Sequence, residues 1–397
     1  MKREILYLHF LTKINLNNIM AKENIVPNNS NVRKPTEKKA FSMTDFKKTV
    51  NAENVPLKPF EWIKCSDALA QAIGIPGIAK GYVNLCRGFS NTGKSTMLCE
   101  SVVSAQKMGI LPIIIDTENN LGRKRLELMG FDFDNDFFIL VDNDFLLSEF
   151  GIKQNKDRKE AAIEDLAKCI HYFLDIQDTG KLPYDLLFAV DSIGTLDCIK
   201  SIDSAVKDTN ANNMWNAGAM ASSMKSIMNS RIPSSKKITK PYTNTFVAVQ
   251  KVWFDSMVGG AGVLRHSGGE ALFSAARLIV HFGGIKSHGT SKVKATLNKK
   301  EVTFGIQVTA GVVKNHLDDI LGGIAFNDRD IISTPHGFIG AEKSDVDRYK
   351  NEHLKYFRDV LGDTNITAGD IGTKLEVIKD DEKIVFDLPL MDGEGDE

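Results

Sequence analysis

The stretch Val83–Thr96 reads VNLCRGFSNTGKST. Within it Gly88, Gly93, Lys94 and Ser95 satisfy the spacing G-x-x-x-x-G-K-[ST] of a phosphate-binding loop. Glycines at the two ends let the backbone curl until successive amide N–H groups face one anion. Phe89, Ser90, Asn91 and Thr92 supply the residues between them. Lys94 then reaches the β- and γ-phosphates of a nucleoside triphosphate, and the Ser95 hydroxyl ligates Mg2+. Thr96 lies in the helix that follows, whose positive end faces the same anion. The flanks suit the motif. Tyr82–Cys86 is an apolar run of strand length, and Thr96–Met108 holds no proline or glycine before Gly109.

Working outward, further apolar runs end in polar groups. Leu111–Ile115 leads into Asp116-Thr117-Glu118, Leu186–Val190 into Asp191, and Thr245–Val249 into Gln250. Leu278–Phe282 and Val302–Val313 complete the strand candidates. Helical patterns separate them: Ser66–Ile73, Arg158–Ile176 with Ala162, Leu166, Ile170, Phe173 and Leu174 on one face, and Asn216–Asn229. Strands alternating with helices describe an open, mainly parallel α/β sheet with helices on both faces. Such sheets take ligands at the strands' C-terminal ends. Asp191 has the position of a Walker B carboxylate holding Mg2+ beside Ser95, although an acid at a strand end is common by itself. Glu118 is the candidate for orienting an attacking water, with Asp116 competing on spacing alone. Gln250, a neutral amide, could sense a γ-phosphate and pass its presence to the segment that follows.

Composition sets the outer limits. The 397 residues leave room for one large domain with appendages or two modest ones. A net charge of −1 excludes a globally basic surface, so any nucleic-acid site must be a local patch. Cys65, Cys86, Cys99, Cys169 and Cys198 form no C-x-x-C pair, which argues against a zinc site and for a reducing compartment. No stretch reaches the length of a membrane span. The opening MKREILYLHFLTK lacks a small-residue cleavage site, and Met20 offers an alternative start, so a cytoplasmic location is expected.

Residues 1–59 are expected to form a flexible arm, polar and lysine-rich from Lys22 to about Pro59, with a short helix at Met43–Val50, where Phe41 and Phe46 are the conspicuous apolar groups. The arm either packs locally or docks on a neighbouring subunit. Residues 60–340 form the expected core and 341–397 a small C-terminal region. Lys251–Gly269 combines Trp253, Phe254, Arg265 and His266 with glycines, the composition of a loop that orders around a nucleic-acid strand; an ordinary surface loop fits too. Lys200–Asn213 is a second loop after Asp191. Arg231–Lys240 and Lys286–Lys300 carry basic groups without an acid, which suits solvated faces as well as positive patches.

The ordered set GFSNTGKS (Gly88–Ser95), DTE (Asp116–Glu118), AVDSIGTL (Ala189–Leu196), Gln250, GGEALFSAARLIV (Gly268–Val280) and VVKNH (Val312–His316) resembles the RecA-type recombinases, and most closely their bacteriophage UvsX-like branch. The similarity spans roughly Ser66–Ile339. It implies a RecA-like ATPase using ATP and Mg2+, which forms a homo-oligomeric helical filament on single-stranded DNA and pairs it with double-stranded DNA. Mediator and single-strand-binding proteins are the further partners it implies. By resemblance Glu118 is the catalytic glutamate, and Gln250 links the γ-phosphate to the second DNA loop. Lys200–Asn213, with Lys200 and Lys207, and Lys251–Ser267 correspond to the two DNA loops. Lys314 corresponds to a lysine that reaches the neighbour's ATP; where bacterial relatives have a second lysine, this chain has His316. Arg125 takes the adenine-stacking position. The acidic end (Asp392, Glu394, Asp396, Glu397) resembles a regulatory tail and equally suits a solubilising one.

Two other classes share parts of this pattern. A ring helicase of the same fold has the same nucleotide motifs but unwinds forked duplexes directionally. A non-catalytic regulator binds ATP and a protein partner without responding to DNA. The long glycine-rich segment after Gln250 favours the recombinase.

Overall fold

The central apolar runs lack polar alternation because both sides of the sheet they form are covered. The computed structural model describes residues 55–151, 158–206, 213–255, 263–284, 289–317 and 330–378, with Ser42 and Thr44. By its contacts the chain divides between Asn54 and Val55. The chain from Val55 opens with β1 (Trp62–Lys64), α1 (Asp67–Ile73), β2 (Gly77–Ala79), β3 (Val83–Gly88), α2 (Lys94–Lys107) and β4 (Leu111–Asp116). Then come α3 (Arg123–Leu128), β5 (Ile139–Asp142), α4 (Asn143–Phe150), α5 (Ile163–Asp178) and β6 (Leu186–Asp191). Helices α6 (Ile199–Val206) and α7 (Asn213–Ser226) lead to β7 (Asn244–Asp255), β8 (Val263–His266), α8 (Gly269–Ala275) and β9 (Leu278–Phe282). The antiparallel strands β10 (Thr290–Leu297), β11 (Lys300–Asn315), β12 (Asp330–Thr334) and β13 (Gly337–Gly340) follow. Helices α9 (Lys343–Glu352) and α10 (Leu354–Leu361) and strand β14 (Gly372–Val377) close the described chain.

Strands β9-β3-β7-β6-β4-β5 run parallel in that order, and β11 extends the sheet antiparallel from β9. Side chains alternate between two cores. Leu85, Ile113, Ile115, Phe188, Val190, Phe246 and Ala248 face one, with α5 and α7. Cys86, Ile114, Leu187, Ala189, Val247 and Val249 face the other, with α1 and α2. Each fully buried aliphatic or aromatic side chain contributes roughly 1.5–3 kcal/mol. Burial on both faces explains why period 2 is invisible in these runs.

A third core joins Val293, Ala295, Phe304 and Ile332 of the antiparallel strands to Val346, Tyr349, Phe357 and Leu361 of α9 and α10. The β12–β13 hairpin links this lobe to α2. The Glu100 carboxylate accepts N–H bonds from Phe338 (2.7 Å) and Ser66 (3.0 Å), and Phe338 stacks on Phe282 at 5.6 Å.

Several expected elements differ. The helix read from Arg158 begins at Ile163, because Ala162 is extended and Asp165 accepts its N–H at 2.9 Å. Arg158 instead turns inward and pairs with the buried Asp165 at 2.6 Å. The helix expected to Asn229 ends as α-helix at Ser226 and continues as a π-helical turn, Ile227–Arg231. The strand expected to stop at Gln250 runs on to Asp255 and pairs antiparallel with β8. The expected helix at Met43–Val50 lies outside the described residues except for Thr44, as does the acidic end.

His336, in the β12–β13 turn, stacks on His353 at 3.7 Å between ring centroids, and its Nδ1 lies 2.7 Å from the Tyr349 hydroxyl. Burial, and then the neighbouring His353, push His336 down to about 4, and burial lowers His353 too. The unfolded chain, with an ordinary histidine near 6.5, binds more protons across that interval, so stability falls as pH drops from 6.5 to about 4. Melting curves of His336→Gln should show a shallower loss over this window than wild type. Parallel slopes would contradict it.

Candidate nucleotide and DNA site

Strand β3 leaves the sheet at Gly88, where space is short. A Cβ there would lie 2.4 Å from the Phe282 carbonyl oxygen and 2.8 Å from Thr92 Oγ1. The turn then needs left-handed backbone at Asn91 (φ 58°) and Gly93 (φ 94°), the second capping α2. Thr92 Oγ1 donates to the Phe89 carbonyl at 2.9 Å, closing the loop; Phe89 is buried, while Ser90 and Asn91 are exposed. The buried Lys94 ammonium donates to the same Phe89 carbonyl. Burial lowers Lys94 to about 8, opposed by Asp191 and Glu118 and reinforced by Lys251.

Register places the acids. Asp116 of β4 is the direct partner of Asp191 of β6, so both emerge at one edge of the sheet beside the loop. Asp191 is raised above the usual carboxylate range, first by burial; the Ser95 hydroxyl bond opposes this, and Glu118 and Asp116 add to it. A hydroxyl and a carboxylate in contact are hard oxygen donors, which fits Mg2+ completed by phosphate and water. The Asp191–Ser192 peptide is cis.

Spacing left Asp116 and Glu118 as rivals, and geometry separates them. Asp116 accepts the backbone N–H groups of Glu118, Asn120 and Leu121, at 3.2, 3.2 and 2.8 Å, and so shapes the turn. Glu118 projects from that turn. Its Oε1 accepts from Ser192 Oγ at 2.5 Å and from Lys251 Nζ at 2.8 Å, and its Oε2 accepts from Asn120 at 3.0 Å. Burial works to raise its pKa, but the Lys251 and Ser192 bonds outweigh it and hold Glu118 below the usual range. Ser192 and Asn120 were not among the expected site residues; adjacency to Asp191 and Glu118 was the only signal they gave.

Gln250 is fully buried. Its Nε2 donates to the Ser267 carbonyl at 2.7 Å and lies 3.4 Å from His266 Nδ1, while its Oε1 has no partner among the described residues. It therefore ties β7 to the end of β8. Beyond it the two strands form a ribbon on which Trp253 faces Arg265 across the ladder; both are exposed. His266 is half-buried, stacked on Phe273 at 5.5 Å, and lowered by burial and Arg87, so it brings little positive charge at neutral pH. Phe254 lies within β7. The segment read as a second loop from Lys200 is instead helical over its described part: Lys200, exposed on α6, sits 4.0 Å over the Trp215 ring, and Lys207 lies outside the described residues.

The remaining expected residues have partners within the chain or stand apart. Lys314 donates to the Phe273 and Ser274 carbonyls at 2.7 and 3.1 Å, at the end of α8. His316 is exposed. Arg125 donates to Thr96 Oγ1 at 2.5 Å, which in turn lies 2.6 Å from Ser333 Oγ. The basic segment Arg231–Lys240 is largely committed. Arg231 pairs with Asp175 and Asp178, each at 2.8 Å, and Lys236 is buried over the Tyr82 ring at 3.4 Å. Among the described residues no helix is long and apolar enough to cross a membrane.

The chain is similar to Protein RecA of Streptococcus pyogenes serotype M5, 27% identical over 250 residues that make up 62% of this chain and 55% of the relative. It is also similar to Protein RecA of Aquifex pyrophilus, 31% identical over 106 residues, which are 27% of this chain and 28% of that protein. A shorter match to Protein RecA of Francisella philomiragia is 37% identical over 68 residues, 17% of this chain and 19% of the relative. The chain thus spans at most about half the length of these curated relatives. No family model matches it. These similarities support a RecA-type family, and the mostly parallel sheet fits a RecA-like core.

The crowding at Gly88 can be tested against an open glycine. Gly88→Ala should lower unfolding free energy by about 1–3 kcal/mol in urea titrations, as overpacking does. Gly218→Ala, inside α7 with nothing within 4 Å of the added methyl group, should lose no stability and gain about 0.5–1 kcal/mol by the same measurement.

Proposed function

We propose that this chain is an ATP-dependent DNA strand-exchange protein, a recombinase of the bacteriophage UvsX-like branch working in the host cytoplasm. One observation carries the reading. Lys94, Ser95, Asp191 and Glu118 gather at the sheet edge from which β7 continues, through Gln250, into a ribbon bearing exposed Trp253 and Arg265. A nucleotide pocket and a stacking, positively charged element joined by one strand suit a protein whose grip on DNA depends on nucleotide. The RecA similarity supports the same reading.

In this mechanism the loop amides and Lys94 hold the phosphates of ATP, while Ser95 and Asp191 hold Mg2+. Glu118 takes a proton from the attacking water, giving ADP and phosphate. Arg125 lies beside the adenine. Gln250 couples the phosphate end of the pocket to the ribbon. Trp253, Phe254 and Arg265, with Lys251, His266 and the Lys200 and Lys207 segment, contact single-stranded DNA. Lys314 and His316 act across the interface on the neighbour's ATP. A heterologous contact that does not close yields a helical filament. Residues 60–340 serve as the ATPase and DNA-binding core, 1–59 as a subunit-docking arm and 341–397 as a regulatory region. Mediator and single-strand-binding proteins would govern loading.

The test pairs ATP turnover, with and without single-stranded DNA, with a strand-exchange gel. Wild type should be stimulated by DNA and should exchange strands. Lys94→Ala should lose turnover by a factor on the order of 10²–10³, as expected for removing a preorganised charge at the reacting phosphates, and exchange with it. Homologous pairing at the wild-type rate by Lys94→Ala would refute the mechanism.

A further inference from the structure

The Glu118 carboxylate is more heavily engaged than a free base should be. Three of the carboxylate's roughly four acceptor sites are taken, one by an ammonium at 2.8 Å that favours the ionised form, so it is a weaker base for water while Lys251 stays in place. Ser192 and Asn120 belong to the sheet edge itself. Lys251 is different, because it begins the ribbon. Register pairs Val252 with His266 and Trp253 with Arg265, so alternation puts Lys251 on the same ribbon face as Trp253 and Arg265. Gln250 and Val252 lie on the opposite face. The Lys251 carbonyl also accepts the Ser267 N–H at 3.0 Å, so its backbone is tied to both ribbon strands.

Exposure supports a breakable contact. The Lys251 side chain is 42% exposed and that of Glu118 only 14%, so the lysine can leave toward solvent while the carboxylate stays. A DNA phosphate on that face offers Lys251 an equivalent charge-assisted partner. Among the described residues Lys94 and Asp191 also act on the carboxylate, and Asp116 accepts the Glu118 backbone N–H; none of the three lies on the ribbon.

We infer that Lys251 restrains Glu118 while the ribbon is empty, and that a DNA phosphate drawn to the ribbon face takes Lys251 away and frees the base. The inference rests on the ATPase reading above and names how that same site is regulated. Lys251 is thus a positioning residue: it acts on hydrolysis through Glu118, and among the described residues it joins the carboxylate to the ribbon face. A merely structural lysine would lower turnover when lost, whereas a restraint raises it.

The experiment measures steady-state ATP turnover of the full chain with Mg2+, without DNA and with saturating oligo(dT). Wild type, Lys251→Met and Lys251→Arg are compared. In Lys251→Met the DNA-free rate should rise on the order of tenfold, part of the ~10²–10⁴ that a general base contributes, and stimulation by oligo(dT) should shrink toward unity. Lys251→Arg keeps the cation and should restore a low DNA-free rate and most of the stimulation. A Lys251→Met rate without DNA at or below wild type overturns the inference, including complete loss of turnover. The DNA-free arm reads the restraint whether or not DNA stimulates wild type; absence of stimulation in wild type instead counts against the strand-exchange reading.

Discussion

Strand β3 is hydrogen-bonded in parallel on both sides, and the rest of the site follows from that constraint. Its partners are β7 and β9, with Arg87 level with Gln250 on one side and His281 on the other. One residue further, Gly88 is level with Lys251 and with Phe282. The phosphate-loop candidate, the buried amide and the ribbon lysine are therefore fixed relative to one another by backbone ladders, not by side-chain chance. A slip of one residue would turn every side chain of β3 to the other core and would bring a residue with a side chain against the Phe282 carbonyl, where a Cβ would lie 2.4 Å from the oxygen. The same ladder brings the Phe282 carbonyl so close to Gly88 that only a hydrogen fits.

Electrostatics adds a second layer on that frame. Lys94 and Lys251 face Asp191, Glu118 and Asp116 in a partly buried space, and Lys94 and Asp191 do not settle as a tight pair. Lys94 is depressed to about 8 and Asp191 is raised, both mainly by burial, while Lys251 and Glu118 do pair. Buried charges without full partners raise the free energy of the site. An anion against Lys94 and a hard cation between Ser95 and Asp191 would relieve both, which is the charge pattern that the nucleotide and Mg2+ proposed above would bring.

Much of the parallel sheet was legible in the sequence, for a physical reason. Strands buried on both faces read as unbroken apolar runs, and each of β3, β4, β6 and β9 stands between polar segments that mark its ends. The antiparallel extension was harder. Strand β14, GTKLEV, is mostly exposed, and α9, KSDVDRYKNE, buries only Val346, Tyr349 and Lys350. Neither offers an apolar stripe. The continuation of β7 past Gln250 was hidden by the glycines that follow it, which made Lys251–Asp255 read as loop. Asp116 against Glu118 could not be decided by spacing, because what separates them is backbone N–H direction in a tight turn. Lys314 shows the same limit: the sequence marks a lysine at a strand end but not the carbonyls at the end of α8 that receive it.

The extension of β7 is also what lets one strand serve two surfaces. In extended backbone, adjacent residues point to opposite faces, so Gln250 and Lys251 cannot look the same way. Gln250 turns to the interior and contacts Ser267 and His266, while Lys251 turns the other way and holds Glu118. Had the chain become a loop at Gln250, as its glycines suggested, no such alternation would be imposed and the two contacts would be free to vary independently. Because the ladder persists to Asp255, a shift of the ribbon relative to the sheet must strain the Gln250 contacts on one face and the Lys251–Glu118 pair on the other together. Strand geometry is therefore the route along which the coupling proposed above would run.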